Sequence, residues 1–161
     1  MRKLLSFSLF LGLLFMTTLA LAEPKAEIFG GYQYTHLDAG VNANGWNAAL
    51  TGNYNNWFGI RADLSGAYKS GFKFHTYTFG PEVAMRLPVL KPFAHALFGG
   101  GTASGGGVSN SGFVMLYGGG VDMGSGPIAW RLAQFDWMVT RFNGFTDKKN
   151  VRFSTGIVLR F

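Results

Sequence analysis

Along the chain, apolar residues alternate with small or polar ones in runs of about ten, and clusters of Gly, Asn, Ser and Asp separate the runs. The clearest run closes the sequence. Val151, Phe153, Thr155, Ile157, Leu159 and Phe161 share one parity, while Arg152, Ser154, Gly156, Val158 and Arg160 share the other. A strand with this pattern offers one face to hydrocarbon and one to a polar interior, because successive side chains point to opposite sides. The run before Lys69 repeats it, with Phe58, Ile60, Ala62, Leu64, Gly66 and Tyr68 opposite Gly59, Arg61, Asp63, Ser65 and Ala67. So does Trp46, Ala48, Leu50, Gly52 and Tyr54 against Asn47, Ala49, Thr51 and Asn53.

Five further runs bring the expected number of strands to eight. Ala26 to Leu37 sets Ile28, Tyr32 and Tyr34 against Glu27, Phe29, Gln33 and Thr35. Phe72 to Arg86 carries Tyr77, Phe79, Val83 and Met85 against Thr76, Thr78, Gly80, Glu82 and Arg86; Pro81 lacks a ladder donor, which predicts a bulge or weakened pairing there. Pro92 to Thr102 is apolar on both parities, so its faces are not assigned. Phe113 to Met123 alternates, with Asp122 on the polar side. In Ile128 to Phe142, Arg131 has opposite parity to Gln134 and Asp136, and a bulge between them would turn all three inward. The odd-numbered links include three polar stretches, Asp38 to Asn44, Ala103 to Ser111 and Asn143 to Asn150. The even-numbered links are shorter. Short inner turns and longer outer loops are expected of an even-stranded membrane barrel with both termini inside.

Composition agrees with this reading. The 161 residues include 24 Gly, 16 Phe, 6 Tyr and 4 Trp but no Cys, which excludes disulfide scaffolds, thiolate metal sites and thiol nucleophiles. So much Gly inside apolar runs argues against a helical bundle, since each costs about 1 kcal/mol relative to Ala in a helix. Met1-Arg2-Lys3, an apolar stretch from Leu4 to Leu21 and Ala20-Leu21-Ala22 before Glu23-Pro24 form a secretory signal pattern; an uncleaved membrane anchor is the alternative. Cleavage after Ala22 would leave a barrel domain of residues 23–161 carrying net charge +4, with Lys148-Lys149 as its one adjacent basic pair. No nucleic-acid footprint is present. Ser104-Gly105-Gly106-Gly107 reads as a flexible loop, because the GxxxxGKS spacing of a nucleotide cradle is missing.

The charges decide between a soluble and a membrane barrel. A soluble eight-stranded barrel buries apolar side chains and exposes polar ones. Here Glu27, Arg61, Asp63, Glu82, Arg86, Asp122, Arg131, Asp136 and Arg152 belong to the face shared with Gly, Ser, Thr and Ala, and the opposite face is nearly uncharged. That inversion suits a bilayer, where a closed barrel satisfies every backbone polar group internally. The sequence thus predicts an all-β, eight-stranded antiparallel up-and-down transmembrane barrel.

The signal pattern, the eight runs and the final Arg152-Phe153-Ser154-Thr155-Gly156-Ile157-Val158-Leu159-Arg160-Phe161 resemble the small bacterial outer-membrane β-barrels of the OmpA-barrel and OmpX-like group. The resemblance spans Lys25 to Phe161. It implies a location in the bacterial outer membrane, contact with its lipid, and recognition of Ile157, Leu159 and Phe161 by the barrel-assembly machinery. The sequence stops at the barrel, so the cell-wall tethering of full-length OmpA is not implied.

Possible chemistry is limited. The nine inward charges would form either a mutually paired network filling the interior or an ion path, and an eight-stranded interior is narrow enough to favour the network. His36, His75 and His95 are scattered and none lies in a His-x-Ser arrangement, so an outer-membrane lipid A-modifying enzyme is a lesser alternative, as is a small pore. No cofactor or metal is expected. Trp46, Trp57, Tyr54, Tyr68, Trp130, Trp137 and Phe161 suit interfacial girdles, with Trp137 nearer a strand middle. The expected role is non-enzymatic, in envelope integrity or surface interaction through the outer loops, with the external ligand unknown.

Overall fold

The computed structural model describes residues 24–38 and 40–161, so the expected signal segment and its cleavage site lie outside it. Eight strands follow one another: β1 (Ala26–Leu37), β2 (Val41–Asn53), β3 (Phe58–Lys69), β4 (Phe72–Ala84), β5 (Leu90–Gly105), β6 (Val108–Met123), β7 (Ile128–Phe142) and β8 (Phe145–Arg160). Each pairs antiparallel with its neighbours, and β8 returns to β1 from Glu27–Arg160 to His36–Val151, closing the barrel. No strand edge remains to be satisfied by solvent.

The parities fall as the alternation predicts. Ile28, Leu50, Ile60, Leu64, Phe79 and Trp137 stand exposed on the outer wall, whereas Gln33, Asn47, Arg61, Asp136 and Ser154 are buried inside. An exterior of large apolar side chains around a charged interior is stable only where hydrocarbon takes the place of water outside. β5, unassigned from its pattern, turns Lys91, Phe93, His95 and Leu97 inward and Ala94 and Phe98 outward.

Both anticipated irregularities are present. The register of β7 against both neighbours shifts around Leu132 and Ala133, and Arg131, Gln134 and Asp136 are all at most 2% exposed. At Pro81 the β3–β4 register runs through undisturbed, while β4–β5 pairing is interrupted at Gly80 and Pro81 without a change of register. Weakened pairing, not a bulge, is the outcome there.

The three long outer loops expected from sequence are not loops. Val41 to Asn44, Ala103 to Gly105, Val108 to Ser111 and Phe145 to Asn150 are strand, and the outer connections shrink to residues 38–40, Ser70-Gly71, Gly106-Gly107 and Asn143-Gly144. Gly106-Gly107 and Asn143-Gly144 each have positive φ at both central residues, as two-residue type I′ hairpin turns require. The inner links, residues 54–57, 85–89 and 124–127, are the longer ones. The physical reason is water on both faces: strands of up to 16 residues exceed the 9–11 that cross a bilayer, and beyond the lipid a paired strand has no reason to alternate. Extended polar hairpins therefore carry a loop-like composition.

Two glycine positions matter for closure. Gly31 and Gly156 face each other at the β1–β8 seam, where a Cβ on Gly31 would lie 2.1 Å from the Thr155 carbonyl oxygen and one on Gly156 2.3 Å from that of Gly30. Neither backbone group can move away without opening the ladder.

Candidate functional site

The interior is the chemically dense part of the molecule. In its inner half a continuous chain of charges crosses from strand to strand. Arg86 Nη2 donates to Glu27 Oε1 at 2.8 Å, Lys91 Nζ joins Glu27 at 2.6 Å to Glu82 at 3.1 Å, and Arg61 joins Glu82 to Asp63, each at 3.1 Å. Arg152 then joins Asp63 to Asp136 through Nη1 and Nε, both at 2.8 Å, and His95 Nε2 meets Asp136 Oδ1 at 2.8 Å. Arg131 grips Asp122 with two nitrogens at 2.7 and 3.1 Å. Gln134 ties this branch in: its Oε1 accepts from Arg131 at 2.7 Å and Arg61 at 3.1 Å, and its Nε2 donates to Asp136 at 2.7 Å.

All nine charges expected to face inward take part in these contacts. Sequence reasoning missed Lys91, placed in a link, and left His95 unassigned. Lys91 changes the electrostatics. Glu27, Asp63, Glu82, Asp122 and Asp136 are matched one for one by Arg61, Arg86, Lys91, Arg131 and Arg152. A buried charge is tolerated only with partners that replace its water, and a balanced set supplies them without a net field. The missed signal was the odd parity of Lys91, Phe93, His95 and Leu97.

Aromatic rings pack the spaces between charges. The Arg131 guanidinium lies over the rings of Phe29 and Phe93, 4.2 and 4.3 Å from their centroids, and the His95 ring stacks with Phe93 at 5.9 Å between centroids. A weakly hydrated planar cation suits such a sandwich. Toward the outer end the interior becomes apolar: Ala43, Ala67, Phe74, Leu97, Val114, Leu116 and Met138 form a buried cluster with Phe72 and Phe142 against it. The inner ionic layer and the outer apolar layer follow one another along the barrel interior.

On the outer wall, Trp46 Nε1 donates to Tyr68 Oη at 3.2 Å and Tyr68 Oη bonds His75 Nε2 at 3.0 Å. This trio covers Gly66, whose absent Cβ would lie within 2.8 Å of the Trp46 and Tyr68 polar atoms. Trp137 faces outward and stacks on Tyr117 at 6.4 Å, and Trp130 bonds Thr155 at 3.2 Å. His36 bonds Asn42 at 2.5 Å. Among the described residues His36 bonds Asn42, His75 bonds Tyr68 and His95 bonds Asp136, none bonds a serine, and no group of three His, Asp or Glu is able to hold a metal.

A closed eight-stranded antiparallel barrel of this kind is found among solved structures. This chain has the fold of the small outer-membrane barrels. It superposes on Neisserial surface protein A with a TM-score of 0.63 at 15% identity, covering 84% of this chain and 96% of that one. Ail, the attachment invasion locus protein of Yersinia pestis, gives 0.53 at 18% identity over 86% of this chain and 99% of Ail. The N-terminal barrel domain of Pseudomonas aeruginosa OprF gives 0.59 at 7% identity over 86% and 98%. No family model and no curated protein matches the sequence.

Proposed function

We propose that this protein is a sealed, non-enzymatic barrel of the bacterial outer membrane that reinforces the envelope and presents its outer hairpin ends to the surroundings. The observation that carries the reading is the paired interior, in which five carboxylates and five cations bind one another beneath an apolar layer. A permeation path needs groups that bind an ion and release it; charges held by one another do not serve as such groups. The hairpin ends support surface presentation. Lys69, Lys73, Arg141, Lys148 and Lys149 outnumber Asp38 and Asp147 there, giving a basic rim.

Ile157, Leu159 and Phe161 would serve as the assembly signal. All three face outward, and Phe161 exchanges backbone hydrogen bonds with Ala26 at 2.9 and 3.3 Å, so it stands at the β1–β8 seam that closes the barrel. Planar-bilayer recording of the refolded protein tests the sealed interior. The expected trace is a flat baseline; reproducible single-channel steps that vanish in Arg61→Gln would establish a pore.

A further inference from the structure

The dipeptide Asn-Gly occurs twice, at Asn44-Gly45 and Asn143-Gly144, in opposite surroundings. Asn44-Gly45 lies within β2, paired with Tyr34 and Gln33 of β1 and with Tyr68 and Ala67 of β3, and Asn44 Oδ1 accepts from Tyr32 Oη at 2.5 Å. Gly45 is packed so closely that a Cβ there would lie 1.7 Å from the Gly66 carbonyl oxygen. Asn143-Gly144 is the exposed β7–β8 turn, with left-handed backbone at both residues, φ 48° and 86°. A Cβ on Gly144 would meet nothing within 4 Å, and among the described residues nothing holds the Asn143 side-chain amide. We infer that Asn143 is a site of spontaneous deamidation, with the Gly144 backbone nitrogen as nucleophile, and that the fold protects Asn44 from the same reaction.

The reaction needs only water. The Gly144 nitrogen attacks Asn143 Cγ and closes a five-membered cyclic imide; the Cγ–Nδ2 bond breaks, and ammonia leaves with the proton that the Gly144 nitrogen gives up. Water then opens the ring at either carbonyl. Breaking the bond to Cγ leaves aspartate at position 143, while breaking the bond to the main-chain carbonyl leaves isoaspartate, in which the backbone runs through Cγ. Glycine as the second residue puts no Cβ in the way of ring closure. Phe142 and Phe145 make the pair that closes the hairpin, so the Gly144 N–H of this two-residue turn stands outside the ladder and is free to react. Ring closure requires the Asn143 backbone to leave the left-handed region, and at an exposed tip that opening is local. At Asn44 the same motion would break the ladders to β1 and β3 together. The product carboxylate is ionised at neutral pH, so the hairpin end that carries Arg141, Lys148 and Lys149 loses one unit of its positive excess. That change bears on surface presentation through the reading proposed above; the chemistry itself does not depend on it.

The refolded barrel is held in detergent at mildly alkaline pH, in parallel with the same chain unfolded in urea, and both are sampled over time. Proteolysis and mass spectrometry with electron-transfer fragmentation count asparagine, aspartate and isoaspartate at positions 44 and 143. Heat-modifiable gel mobility of each folded sample reports the barrel independently of the modification. In the folded barrel, conversion at Asn143 is expected to be at least about tenfold faster than at Asn44, with isoaspartate among the products. In urea the two sites should convert at similar rates. Asn143→Gln, whose longer side chain closes the ring less readily, should slow conversion at the tip while the mobility shift remains. Conversion at Asn143 no faster than at Asn44 in the folded barrel, or aspartate formed without isoaspartate, would each overturn the assignment.

Discussion

Arg152 on β8 and Asp63 on β3 are 89 residues apart in sequence and meet inside the barrel at 2.8 Å, on strands that do not adjoin in the sheet. The same guanidinium holds Asp136 on β7, so one side chain ties three strands together across the lumen. Removing it in Arg152→Ala would leave Asp63 with Arg61 and Asn47 and Asp136 with His95 and Gln134, each buried carboxylate short of one cation. We expect a loss of about 3–5 kcal/mol in urea unfolding of the refolded barrel, the range for breaking a buried pair from one side. A loss of about 1 kcal/mol or less would place the lumen charges in contact with water, as at exposed pairs.

The bulge in β7 gives a sharper test of facing. Deleting Leu132 removes the extra residue and forces Arg131, or Gln134 with Asp136, onto the lipid wall. A basic residue near the midplane costs about 2–4 kcal/mol there, and its interior partners would be lost as well. The deletion variant should fail to refold, whereas Leu132→Ala, which keeps the bulge, should fold and show the normal mobility shift on gels. Folding of both variants to equal yield would contradict the inward placement of these three residues.

Closure depends on a pair without side chains. Gly156→Ala places a Cβ against the Gly30 carbonyl at the β1–β8 seam and should lower the folded fraction on unheated gels. Gly30→Ala, one residue from the seam pair and with nothing within 4 Å of its Cβ, should be neutral. The contrast separates steric closure from strand propensity, since both variants exchange the same residue types.

Phe93 lies beside three cations: its ring centroid is 4.3 Å from Arg131, 5.7 Å from Arg61 and 5.8 Å from Lys91. Phe93→Leu keeps apolar bulk but loses the ring face. A destabilisation of about 1–3 kcal/mol in urea is expected, while Phe98→Leu on the outer wall should change stability by less than about 1 kcal/mol. Similar losses at the two sites would remove the special role of the ring in the network.

Much of this was legible in the sequence where lipid enforced a contrast. Opposite parity in Arg131 and Gln134 demanded a bulge because neither can face hydrocarbon, and the bulge is there. The legibility failed where the contrast disappears. β5 is apolar on both sides because Phe93 and Leu97 pack an interior that is itself partly apolar, so Lys91 at its start was assigned to a link and the fifth cation went unseen. Ala103 to Ser111 read as a loop because both faces of that hairpin meet water. Pairing across the lumen, such as Arg152 with Asp63, depends on how the strands stagger as the barrel closes, which no single strand encodes.

The central claim is that the charged face is the inside of a membrane barrel and the apolar face its lipid wall. Expression in a Gram-negative host, followed by membrane fractionation with heated and unheated samples run on one gel, tests it directly. The account predicts recovery in the outer-membrane fraction with a band that shifts mobility on boiling; a soluble periplasmic product with no mobility shift would contradict it.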